Sequence, residues 1–377
     1  MKNFVATLAL VFLTNANYAQ CNWLTSDDEN AEIPKGHTLH SKVMDKNGTP
    51  YITTSYLIGQ DNTAYTVWKL ESKKWESIGD FPEASSMQLA FNNKGTPYIL
   101  CHDYINGSKG TVKKYSNGEW KQIGGAGFSD EQLTKAKVAH FDMGDRNLFL
   151  DIGLDNTLYV AIQEGDYRYS LKKWDGEYWR YVGKKSFSDV TYRGCKTVTD
   201  NNGNLFCLFP YDGRFFKFNG KEWEKYNIGD DIENYSLLNV GDGTFYIAYS
   251  DKKGLYNDKI VTKLTVKKFD GNKWIDIGEK DFSEGFATRT CLFTINGIIH
   301  LAYEEVKGEG KTEVFSGVKI AKFDGSKWQT ISSKPDIKDV SFNTDSNGTL
   351  YVSYRAKLKD PDGDVYFQNK TLKLKCD

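Results

Sequence analysis

Apolar and polar positions alternate in short runs along this chain, and the runs come in pairs around a polar turn. Residues 266 to 278, V-K-K-F-D-G-N-K-W-I-D-I-G, show the form. Two strand-length segments of aromatic and aliphatic residues flank an Asp-Gly-containing turn, the pattern of a β-hairpin. The phrase returns at 67 to 79, 112 to 124, 171 to 183, 216 to 223 and 320 to 331. Its tryptophans, Trp75, Trp120, Trp179, Trp223, Trp274 and Trp328, stand 44 to 59 residues apart.

A second phrase lies between the copies, as in M-D-K-N-G-T-P-Y-I-T (44 to 53), T-D-N-N-G-N-L-F-C-L (199 to 208) and T-D-S-N-G-T-L-Y-V-S-Y (344 to 354). It occurs seven times, again around an Asn/Asp-Gly turn. Each unit is therefore four antiparallel strands in about 50 residues, the period of a propeller blade. The fold expected is all-β: a seven-bladed β-propeller of four-stranded antiparallel blades, one domain over residues 20–377.

Seven copies of one phrase against six of the other leave a strand missing. The C-terminal T-L-K-L-K-C-D supplies a third strand and stops, while C-N-W-L (21 to 24) places Trp23 where other blades carry their tryptophan. The N-terminal strand is expected to close the last blade, which leaves no open sheet edge there. The same alignment sets Cys21 beside Cys376, and a disulfide between them is expected.

Composition changes this picture little. With 49 basic and 50 acidic residues, the chain offers no charge excess for nucleic acid or an anionic membrane. Lys2, the apolar run Phe4 to Leu13 and a polar stretch ending Tyr18-Ala19 have the layout of a secretory signal, residues 1–19. The run is too short to span a bilayer. Export to the periplasm, the cell surface or the medium permits disulfides. The other four cysteines, 101, 195, 207 and 291, fall on inner strands, where free buried thiols are expected.

The phrase V-K-K-F-D-G-N-K-W resembles the third and fourth strands of kelch-type, galactose-oxidase-like propeller repeats. The paired glycines that open a kelch repeat and the oxidase's copper-binding tyrosines and histidines are missing, so copper chemistry is not implied. The W-x-x-I-G and D-N-x-L-Y-V phrases are also similar in layout to seven-bladed bacterial lectin propellers. What either resemblance implies is a fold.

In such a ring the second-to-third strand connections and the blade-to-blade connections share one face, and here they vary most in length. Variable loops on a rigid frame are where binding residues collect. His40, Arg146, Arg193, Glu233 and Arg289 fall at the starts of innermost strands, where arginines could grip the carboxylate of an acidic sugar. Tyr104, Tyr167, Tyr169 and Tyr211, with Asp103 and Asp212 among their neighbours, fall in connections on the same face, suited to stacking on sugar rings. The recurrent Phe-Ser-Asp/Glu after the fourth strand reads as inter-blade packing and a turn.

Catalytic motifs of the common hydrolase and metalloprotease kinds are missing. A lyase or hydrolase at the channel mouth would need a base with a neutralising arginine, for which His102, His140, Arg193 and Arg289 are the candidates, or two facing carboxylates. No cofactor is expected. Asp360, Asp362 and Asp364 make a compact acidic run, a calcium site or an ordinary turn, too short for an EF-hand loop. The function expected is monomeric extracellular recognition of a carbohydrate or a protein ligand, with glycan cleavage as the alternative.

Overall fold

The computed structural model describes residues 21–376 apart from 26–30, 32, 59–61, 83, 104–108, 126–147, 165–166, 190–193, 231, 252–254, 257–258, 261–262, 308–313, 336, 346–347 and 360–364. Seven four-stranded antiparallel sheets follow one another along the chain, with innermost strands at Thr38–Met44, Ala84–Phe91, Leu148–Ile152, Lys196–Thr199, Ile232–Asn239, Phe286–Ile295 and Ser341–Thr344. They are blades 1 to 7. Strand order within blades 1 to 6 is sequential from the inside out. Blade 5 carries an extra two-stranded ribbon, Leu255–Tyr256 with Lys259–Ile260.

Blade 7 closes as expected. Cys21–Thr25 pairs antiparallel with Val365–Cys376 and forms its outermost strand, in a register that sets Cys21 opposite Cys376 and Trp23 opposite Leu374. Trp23 donates its indole N–H to Ser332 Oγ of blade 6 at 3.1 Å.

The core lies between blades. Alternate side chains of each sheet point to opposite neighbours, and six apolar clusters each join two adjacent blades. One cluster joins Tyr159, Tyr169 and Leu171 of blade 3 to Cys207, Phe209 and Phe216 of blade 4. Tyr169 thus differs from its sequence expectation: it lies in the strand Tyr169–Trp174, fully buried against Phe209. Its place in an inter-blade seam outweighs the loop-like residues before it. His300 is also buried, on the strand Ile298–Lys307 beside Phe293.

The recurrent tryptophan fixes blade to blade. Trp120, Trp179, Trp223 and Trp328 donate their indole N–H to the main-chain carbonyls of Ile78, Ile123, Val182 and Ile277 of the preceding blade. The Phe-Ser phrase completes the joint. Phe187 stacks on Trp223 with centroids 4.4 Å apart, and Phe282 stacks on Trp328 at 5.4 Å. Their serine partners, Ser188 and Ser283, are buried and accept the N–H of Tyr169 and Leu264. Phe128 and its serine lie outside the described residues.

Candidate functional site at the channel mouth

The face carrying the variable connections is uneven. The second strand of blade 4 ends at Phe209, whereas the equivalent residues Tyr303, Tyr354 and Thr54 continue as strand to Lys307, Lys359 and Ile58. At about 3.3 Å per residue, four or five extra residues raise blades 6, 7 and 1 by roughly 13 to 17 Å. Blades 3 and 4 stay low. On blade 4, Pro210–Asp212 is a single 3-10 turn closed by Gly213 at φ +61. A Cβ at Gly213 would fall 1.8 Å from the Gly229 carbonyl oxygen, so only glycine lets the chain turn back this tightly.

Two tyrosines stand on the low side. Tyr167 of blade 3 is 61% exposed at φ +63, a left-handed conformation uncommon for a side chain of its size. It is held by its N–H to the Glu164 carbonyl at 2.9 Å and by Gln163 Nε2 donating to its own carbonyl at 3.0 Å. Tyr211 of blade 4 is 38% exposed and meets Tyr235 of blade 5 edge-on, with centroids 6.3 Å apart. Tyr235 belongs to an innermost strand. Burial, with Tyr211, Asp151 and Cys195 nearby, pushes its phenol well above the ordinary 10. It is therefore a hydrogen-bond donor near neutral pH.

From Tyr235 the rim continues into blade 6. Thr290 Oγ1 donates to the Asn234 carbonyl at 2.8 Å, and Arg289 lies beside Thr290. Arg289 Nη1 donates to the Val340 carbonyl of blade 7 at 2.6 Å, and its Nε lies 3.7 Å from Glu304 Oε2. Glu304 is buried and accepts from Thr288 Oγ1 at 2.6 Å and from the Asp339 N–H. The guanidinium is held in place while half of its side chain stays exposed.

Deeper in the ring, the innermost strands enclose a cavity of about 570 Å³, lined among others by Gln88, Asp151, Lys196, Ser236, Asn239 and Asn343. Lys196 of blade 4 pairs with buried Asp151 of blade 3, which also accepts the Thr197 N–H at 2.7 Å. Asp151 raises the Lys196 ammonium pKa above its ordinary value. Side chains bridge neighbouring innermost strands around the ring: Gln88 Oε1 accepts the Leu150 N–H at 2.7 Å, and Ser236 Oγ accepts the Leu292 N–H at 2.8 Å. These bonds occupy edge amides that face the channel.

The sequence candidates separate accordingly. Tyr211, Asp212 and Arg289 belong to the arc just described. Glu233 lies on the innermost strand of blade 5, next to Asn234, but its side chain lies outside the described residues. His40 is on the raised blade 1, with Nε2 2.6 Å from Ser55 Oγ and its ring against Tyr65. His102 and Asp103 are buried at the end of the strand Pro97–Asp103. Tyr104, His140, Arg146, Arg193, Asp360, Asp362 and Asp364 lie outside the described residues. Among the described residues, no group of three metal-ligating side chains occurs.

Tyr235, Lys196, Asp151 and Glu304 did not stand out in the sequence. One signal was available: Asp151 interrupts the apolar run Leu148-Phe149-Leu150, where a buried acid needs a partner.

No family model and no curated relative matches the chain. Solved structures do. A streptogramin B lyase structure superposes with a TM-score of 0.51 at 10% identity, over 95% of this chain and 98% of that one. The β-propeller domain of the Trilobed protease from Pyrococcus furiosus superposes with a TM-score of 0.52 at 10% identity, over 89% of this chain and 96% of that one. A looser likeness is to an Aleuria aurantia lectin in complex with Fucalpha1-6GlcNAc, with a TM-score of 0.40 at 13% identity over 76% and 91%. At such identities the likeness is one of fold alone, and the kelch-type resemblance rests on the repeat phrase. The class is settled by the seven four-stranded sheets: this is an all-β, seven-bladed propeller.

Proposed function

We propose that this chain is an exported, monomeric recognition module that binds carbohydrate at the channel mouth on its variable face. The observation that carries the proposal is the Tyr211–Tyr235 pair, one ring exposed and the other packed on the apolar seam between blades 4 and 5, with Tyr167 exposed on the next blade. Aromatic rings with a polar edge suit pyranose faces, which are apolar over the C–H groups and hydroxylated at the rim. The low blades leave these rings accessible beside the raised ones. An extracellular protein ligand on the same surface is the second reading.

Bond cleavage finds less support among the described residues. Of the candidates for a base with a neutralising arginine, His102 is buried, and His140 and Arg193 lie outside the described residues. The test is binding of the mature chain to a broad array of neutral and acidic glycans. Saturable binding to a coherent sugar class, weakened about tenfold or more by Tyr211→Ala, would support the proposal. A blank array with folded protein would overturn it and leave a protein ligand as the reading to pursue.

A further inference from the structure

Two cations on innermost strands, Arg289 and Lys196, are each set beside a buried carboxylate, yet keep donors unspent. Arg289 uses Nη1 on Val340 and sets Nε near Glu304, and no partner is found for Nη2 among the described residues. Glu304 itself is fixed by Thr288 and the Asp339 N–H. Lys196 gives one bond to Asp151 and stands half-exposed in the channel cavity. Cys291, two residues beyond Arg289, lines the same cavity, as does Ser236, next to Tyr235. Arg289, Tyr235 and Lys196 thus stand on the innermost strands of the neighbouring blades 6, 5 and 4, all three donors.

A surface salt bridge alone would not need this support, because exposed pairs contribute little. A guanidinium with its position set by a buried acid and one edge left open is pre-organised for a planar anion, and Arg suits a carboxylate through two parallel N–H bonds. We propose that the channel mouth binds a sugar bearing a carboxylate, with Arg289 gripping the carboxylate, Tyr235 donating beside it and Tyr211 under the ring. This rests on the carbohydrate reading above and narrows it to acidic glycans.

The test uses the mature chain and paired probes: galacturonate, glucuronate and mannuronate oligosaccharides, and the same oligosaccharides after carboxyl reduction. At least one acidic oligosaccharide is expected to bind tenfold or more tightly than its reduced counterpart. Arg289→Lys keeps a positive charge opposite Glu304, so the fold is retained, but it loses the forked geometry. Affinity for the acidic probe should then fall roughly ten- to a hundredfold, the range for hydrogen bonds to charged groups. Affinity for the reduced probe should stay unchanged. Equal binding of both probes, or an Arg289→Lys variant with wild-type preference, would overturn the inference and leave carbohydrate recognition standing. Failure of the folded chain to bind any acidic, reduced or neutral sugar would overturn both.

Discussion

Trp120 Nε1 donates to the carbonyl of Ile78 at 2.7 Å, and a Cβ on the following residue, Gly79, would lie 2.3 Å from that same nitrogen. The Ile-Gly or Val-Gly that follows Trp75, Trp120, Trp179 and Trp274 is thus the socket for the next blade's indole. A Cβ at Gly183 or Gly278 would fall 3.1 Å from Trp223 Nε1 or 2.9 Å from Trp328 Cδ1. This gives one reason why the chain repeats the phrase: at Trp120, Trp179, Trp223 and Trp328 a copy reads the copy before it.

Gly79→Ala should overpack the joint between blades 1 and 2 and destabilise the protein by about 1 to 3 kcal/mol. Gly125→Ala is the control, since a Cβ there meets nothing within 4 Å. Thermal unfolding of the two variants side by side checks the difference. Equal melting temperatures would sink the socket account.

The six tryptophans of the repeat should not be equivalent. At blade 5, Lys267 Nζ donates to the Ile228 carbonyl, and the buried Trp274 Nε1 has no hydrogen-bond partner among the described residues. Removing an unpaired buried donor costs little, whereas Trp120→Phe leaves the Ile78 carbonyl unsatisfied. Trp120→Phe is expected to cost about 1 kcal/mol more than Trp274→Phe in denaturant unfolding.

Opposite registration of Cys21 and Cys376 joins the ends of the ring. We expect a disulfide there, visible as a linked peptide in a non-reduced digest. Cys21→Ser should then lower stability by about 2 to 4 kcal/mol, the usual range for a bridge across a long loop. Finding both thiols free in protein exported under oxidising conditions would refute this.

Three turns between third and fourth strands should stay charged in acid. Asp175 accepts the N–H groups of Tyr178 and Glu177 and a bond from Arg180, which lower its pKa to about 2. Asp270 and Asp324 are lowered by the matching main-chain bonds. The sign follows from linkage. A carboxylate with a depressed folded pKa adds stability above the unfolded value, near 4, and loses it as pH falls through the folded one. Carboxyl-carbon NMR titration should show Asp175 ionised well below pH 3.8, its ordinary value. A midpoint at that ordinary value would count against these turns.

Much of the architecture was legible in the sequence, and particular residues show why. Trp23 stands at the repeat spacing from Trp75, so closure by the N-terminal strand followed from counting. Phe187 and Phe282 recurred with a serine, and recurrence marks scaffold. The site was less legible. Tyr211 drew notice as an aromatic in a variable connection and Arg289 as a charge at the start of an innermost strand, but Lys196 and Tyr235 look like ordinary strand residues. Tyr169 misled, since proximity to a loop in sequence says nothing about which seam its ring will fill.

The sequence by itself determined hairpins, blade count and ring closure, because those depend on local alternation, turn chemistry and a repeat that carries its own joint. Only the tertiary structure decided which cations meet which acids. Arg289 finds the Val340 carbonyl 51 residues away, and Lys196 finds Asp151 across 45. Such pairs exist because ring curvature brings innermost strands together edge to edge. The lengths of the hairpins above them then decide which part of the rim stays open.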